Sequence, residues 1–157
     1  MSRLDDLRDE VQHCTACELY KGATQAVFGA GLAKAEVMFV GGSRAHFHFS
    51  ERGKRRIHER PRAHHIEACR PWLDRELEVV RPRVLVCLGA TPAQALVGKQ
   101  VKVTQDRGKP LESDLAPVVM VTVHPSSILR SRDQASREAA YEGFVADLEL
   151  VSAQLAA

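Results

Sequence analysis

Long apolar runs are missing from this chain of 157 residues: no stretch of eighteen or more occurs, and no segment reads as a membrane span. The opening Met1-Ser2-Arg3-Leu4-Asp5-Asp6 lacks the charged-then-apolar pattern of a secretory leader, so a cytoplasmic location is expected. Net charge is only +2, too little for a diffuse electrostatic hold on nucleic acid. No internal repeat or low-complexity segment is visible. Cysteine is limited to Cys14, Cys17, Cys69 and Cys87. In a cytosolic chain, a close pair with distant single cysteines points to metal or cluster binding more than to disulfides.

What is present suits one globular domain spanning 1–157, with 45% hydrophobic and 27% charged residues. The charge is unevenly placed. Between Arg44 and His65 stand seven Lys/Arg (Arg44, Arg52, Lys54, Arg55, Arg56, Arg60, Arg62) against Glu51 and Glu59, leaving the remainder slightly acidic. A polyanion would meet this stretch first.

Helical spacing of Leu4, Leu7 and Val11 predicts a helix over 3–13, and Glu36–Val40 reads as a buried strand closed by Gly41-Gly42. Residues 43–62 show no clean periodicity and read as a loop. A helix is expected over 64–80, kinked or restarted at Pro71. Arg83–Leu88 is the strongest strand, and Thr91-Pro92 opens a short helix to Val97. Residues 101–111 read as short strands and turns around Gly108, 117–123 as a third buried strand, and 133–155 as a closing helix. Apolar strands alternating with helices predict a three-layer α/β/α sandwich around a short parallel sheet. Its ligand site belongs at the strands' carboxyl ends, where Gly41-Gly42, Gly89-Ala90-Thr91 and His124-Pro125 stand.

Three constellations can carry chemistry. Cys14-x-x-Cys17 can aim two thiolates at one ion, with Cys69 as third donor. Cys87 lies mid-strand and reads as a small core hydrophobe. The fourth donor is one of His13, His46, His48, His64 and His65, which spacing does not separate. Lys54-Arg55-Arg56-Ile57-His58 is either a solvated charge run or a phosphate-binding loop with an imidazole at a reacting centre. His124, ending a buried strand before Pro125-Ser126-Ser127, is either a hydrogen-bonded edge histidine or a donor to developing negative charge.

Taken together, Cys14-Thr15-Ala16-Cys17, Val27-Phe28-Gly29, Glu36–Gly41, Arg81–Thr91 and Val123–Ser127 resemble the iron–sulfur uracil-DNA glycosylases. Lys54–His58 and Val103-Thr104-Gln105-Asp106-Arg107-Gly108 resemble the branch known as UdgX, which becomes covalently joined to DNA. The resemblance implies a [4Fe–4S] cluster on Cys14, Cys17, His46 and Cys69, held structurally and away from the chemistry. It implies His124 as the donor to the uracil carbonyl, His58 as the nucleophile at C1′, and Gly41 and Gly42 beside the base. Lys54, Arg55, Arg56, Ser126, Ser127 and Arg130 would hold the phosphate backbone, the partner being uracil-containing, preferentially single-stranded DNA bound by a monomer.

The resemblance also implies a loss. The first motif of that family, a Gly-Glu-Gln-Pro-Gly turn with a stacking aromatic and a base-reading asparagine, should follow the opening strand. Here Val40-Gly41-Gly42-Ser43 runs almost directly into Arg44-Ala45-His46. About forty residues are absent, the size of one strand–helix–strand crossover. The sheet should then lack a strand, and excision should be weak or lost. The alternatives are a non-catalytic DNA-binding remnant and a zinc module on the same thiolates.

Overall fold

The computed structural model describes residues 2–42, 46 and 49–157, without the side chain of His58. In chain order the elements are α1 (Arg3–Val11), a 3-10 turn (Glu18–Gly22), β1 (Val37–Val40), β2 (Phe49–Arg52), β3 (Arg55–His58), α2 (Ala63–Val80) and β4 (Val84–Leu88). Then follow α3 (Ala90–Leu96), α4 (Val103–Asp106), β5 (Val118–Thr122), α5 (Pro125–Leu129) and α6 (Gln134–Ala156). They fall into two compact units, one formed by Met1–Ala33 with Ser43–Val80, the other by Lys34–Gly42 with Arg81–Ala157. Among the described residues no helix is long and apolar enough to cross a membrane.

The second unit is built on a parallel sheet in the order β1-β4-β5, with Val37 opposite Val84 and Val84 opposite Val118. Alternate residues of a strand point to opposite faces. Val84, Val86 and Met120 form one face, against Val151 and Leu155 of α6. Leu85, Cys87, Val119 and Val121 form the other and are equally buried. Burial on both faces is why these strands read as unbroken apolar runs. Helices α3 and α6 contact β4, and α4 and α6 contact β5, which gives the expected sheet flanked by helices. At one edge β1 exposes half of Phe39; at the other, Leu111 bridges antiparallel to Val119.

The first unit joins two helices. Ser2 caps α1 through a reciprocal pair with Asp5, and Leu4, Leu7 and Val11 are buried. Its last turn hands the chain to Cys14, whose N–H donates to the Val11 carbonyl. Helix α2 runs through Pro71 as one element, so the proline deletes a helical N–H without restarting the helix. The Gly29 N–H donates to Glu76 of α2 at 3.2 Å, fastening the loop that carries Phe28.

Two expectations need correction. Part of the supposed loop over 43–62 is an antiparallel hairpin, β2 with β3, turning at Gly53-Lys54 where Gly53 takes φ +62°. Four-residue charged strands are too short to show a period. Opposite charges at Glu51 and Arg56, which face each other across the pair, and Arg56 stacked 4.2 Å from the Phe49 ring centre support it instead. The segment 101–111 contains helix α4 rather than short strands, apart from the single bridge at Leu111. Asp106 turns its carboxylate back onto the Lys102 N–H at 2.8 Å, closing a helical turn that Val103 and Thr104 do not advertise. Helix α5, directly after His124, is unforeseen in the sequence.

Candidate functional site

At the carboxyl end of β5, His124 is the N-cap of α5. Its Nδ1 accepts the Ser126 N–H at 3.1 Å and lies 2.8 Å from the Ser126 hydroxyl. A nitrogen facing a backbone donor carries no proton in the neutral ring, so the proton sits on Nε2. That N–H is turned toward the end of β1: a methyl group placed on Gly41 would lie 3.4 Å from Nε2, while one on Gly42 would meet nothing. Gly89 closes the same end. Its φ of +95° and the approach of the His124 Cβ, 3.3 Å from a notional side chain, both demand glycine. The second unit therefore presents a neutral imidazole donor beside a floor without side chains. Such a donor suits an oxygen that gains charge during a reaction.

Of the serines expected on phosphate, Ser126 bonds the His124 ring and Ser127 donates to the His124 carbonyl at 2.7 Å. Both hydroxyls hold the cap. Arg130 follows at the exposed end of α5. Behind the site Asp147 is buried on α6, accepting from Thr122 at 2.5 Å and from Arg107 Nε at 2.8 Å. Sequence reasoning did not find this brace, which joins residues 25 and 40 positions apart.

In the first unit all four-ligand candidates except His48 can be placed. Cys14 and Cys69 share a buried cluster with Val11 and Ala26, covered by Phe28 and Trp72. Cys17 opens the 3-10 turn and is partly exposed. None of these cysteines is in a disulfide. His46 is 3% exposed, and burial lowers its pKa, which keeps an unprotonated nitrogen available to a metal. His13 is exposed, and His48 lies outside the described residues. Cys87, as expected, is wholly buried in β4 of the second unit, and burial raises its thiol to about 11.

His64 and His65 are engaged elsewhere. Both Nε2 atoms approach one carboxylate oxygen of Glu18, at 2.9 and 2.8 Å. Their ligand types and convergence within 4.8 Å suit a metal ion. The tautomer of His65 does not. Its Nδ1 accepts the Arg62 N–H at 3.1 Å, so Nε2 carries the proton and donates to Glu18 instead of offering a lone pair. The trio is a latch between the residue after Cys17 and the helical turn before Cys69.

Those hydrogen bonds from His65 and His64 draw the Glu18 carboxyl down to about 2. A carboxylate with a depressed folded pKa stabilises the fold fully above its ordinary value of 4.5, and the contribution fades as pH falls toward about 2. Melting temperature is accordingly expected to drop over that window more steeply in the native protein than in Glu18→Gln. Parallel thermal-melt profiles of the two would contradict the latch.

The hairpin presents Lys54, Arg55 and Arg56, all exposed, and carries the His58 backbone opposite Phe49. Beside it lies a cleft of about 810 Å³ lined by Phe49, Arg56, Arg60, Arg62, Glu18 and Glu59 among others. The orientation of the His58 ring lies outside the described structure. Within their own units, Cys14 and Cys69 share one apolar cluster, and His124 stands beside Gly41.

The family model described as the uracil DNA glycosylase superfamily matches residues 19–149. The chain belongs to that superfamily. A type-4 uracil-DNA glycosylase of Thermotoga maritima is 28% identical over 172 residues, covering 88% of this chain and 90% of the relative. The Archaeoglobus fulgidus protein of the same name is 27% identical over 168 residues, covering 82% and 84%. That of Saccharolobus solfataricus is 30% identical over 142 residues, covering 69% and 66%. By donor chemistry, three unbridged thiols at Cys14, Cys17 and Cys69, two of them in an apolar cluster, and the buried His46 imidazole are types that an iron–sulfur cluster takes.

Proposed function

We propose that this chain is a UdgX-like uracil-DNA glycosylase, acting as a monomeric single domain on uracil-containing, preferentially single-stranded DNA in the cytoplasm. The observation that carries the reading is the His124 tautomer, with Nε2–H presented beside Gly41. The nucleotide leaves the stack and the C1′–N1 bond breaks. Its electron pair moves onto uracil, and the charge collected at O2 is held by the His124 N–H. The electron-poor C1′ is then captured by an imidazole nitrogen of His58, whose surplus ring proton passes to solvent, leaving a C1′–N bond between protein and DNA. Lys54, Arg55, Arg56 and Arg130 hold phosphates, while Ser126 and Ser127 act through the cap on His124. Cys14, Cys17, Cys69 and His46 would hold a [4Fe–4S] cluster, which would tie these residues together structurally and take no part in the steps above.

A missing first motif belongs to the same proposal. The Thermotoga alignment runs over 172 positions yet covers 88% of this 157-residue chain, about 138 residues, so about 34 positions of the relative face no residue here. Exposed Phe39 on edge strand β1 is where a lost neighbouring strand would leave its mark. This observation favours a second reading, a DNA-binding remnant that keeps the cluster and hairpin without excision.

Incubation with a uracil-containing oligonucleotide, resolved on a denaturing gel, separates the two. The first reading expects a slow-migrating protein–DNA species that disappears in His58→Ala. Salt-sensitive binding indifferent to uracil, with no such species, supports the remnant and overturns the first.

A further inference from the structure

The single tryptophan of the chain is placed on one of the cluster thiols. Trp72 lies three residues after Cys69 on α2, and its indole Nε1–H points at Cys14 Sγ with N···S 3.1 Å. Indole nitrogen is a donor only, so the sulfur is the acceptor. The indole face is covered by the Arg75 guanidinium, 5.3 Å from the ring centre, and Arg75 is itself held by Glu10 at 2.7 Å. A cation over the ring draws electron density from it and makes its N–H a better donor. Glu10, Arg75, Trp72 and Cys14 thus form a chain of contacts ending on a thiol.

We propose that Trp72 tunes and retains the cluster: its N–H withdraws negative charge from the Cys14 thiolate, raising the reduction potential of the bound cluster and slowing its release. Hydrogen bonds to cluster sulfurs act in this direction because each electron added places more charge on the sulfurs. The partners behind a ligand also hold it in its bonding orientation. The inference rests on the cluster assignment proposed above. It adds that one side chain, not a ligand, sets the electronic state of the site.

Because Trp72 is the only tryptophan, replacing tryptophan throughout the protein with 3-benzothienylalanine changes one position. That analogue keeps the ring shape and puts sulfur where the indole carries N–H. The substituted protein and Trp72→Phe are loaded anaerobically with iron and sulfide beside the native chain. Midpoint potential is measured by voltammetry, and cluster absorbance is followed during exposure to a chelator. Both replacements should move the potential to more negative values and shorten the time of cluster loss about 10-fold or more. An unchanged potential in the benzothienyl protein overturns the proposal, even if the cluster is lost faster, since packing alone could cause that. Should the native chain take up no iron–sulfur cluster at all, the cofactor assignment itself falls and this inference with it.

Discussion

His124→Asn is expected to lower uracil release by about 10²–10³-fold without unfolding the protein, the range seen when one donor to a developing oxyanion is removed. Asparagine is chosen for a structural reason. The His124 ring caps α5 by accepting the Ser126 N–H, and asparagine is among the best residues for that task. The cap survives while the Nε2–H beside Gly41 is lost. Single-turnover release of uracil, followed with circular dichroism, separates the two effects. His124→Ala removes cap and donor together and should also melt earlier, by about 1 kcal/mol. Equal release rates in His124→Asn and the native protein would deny this imidazole its part in base departure.

Asp147→Ala should cost about 3 kcal/mol, which for a chain of this size lowers the melting temperature by roughly 6–12 °C. Asp147 is nearly enclosed on α6 and accepts from both Thr122 and Arg107 Nε, and Arg107 Nη2 lies 2.8 Å from the same oxygen. Nη2 is buried and lacks hydrogen-bond alignment, so removing the carboxylate leaves the cation with nothing to offset its desolvation. Thr122→Val removes one donor and should cost only about 1 kcal/mol. Thr122 stands two residues before His124, so the damage should reach uracil release as well as stability. Differential scanning calorimetry of the two variants tests the order; an Asp147→Ala protein as stable as Thr122→Val would contradict it.

Legibility in the sequence follows burial. Val84–Leu88 and Val118–Thr122 stood out because a parallel sheet covered on both faces permits only apolar residues there. Cys87 was recognisable as core by its neighbours for the same reason. His124 was legible as a strand-end histidine, but its tautomer required the Ser126 contacts. The hairpin around Gly53 was hidden, since Glu51, Arg52, Lys54, Arg55 and Arg56 about its turn are charged and exposed, and its register depends on a turn and on cross-strand pairs. The Glu18–His65 latch and the Trp72–Cys14 contact span 47 and 58 residues, and no local pattern announces them. Their trace in sequence is slight. His65 and Cys69 stand one helical turn apart on α2, so whatever grips the first also positions the second.

The question that reaches furthest is whether uracil leaves the sugar at all on this scaffold, for which the loss of the superfamily's first motif is proposed. Free base released from a single-stranded oligonucleotide by the iron-loaded protein can be counted by chromatography. The account predicts uracil appearing at up to one equivalent per chain, none from the matching thymine strand, and a marked fall in His124→Asn. Strands that bind the protein yet keep every uracil would contradict it.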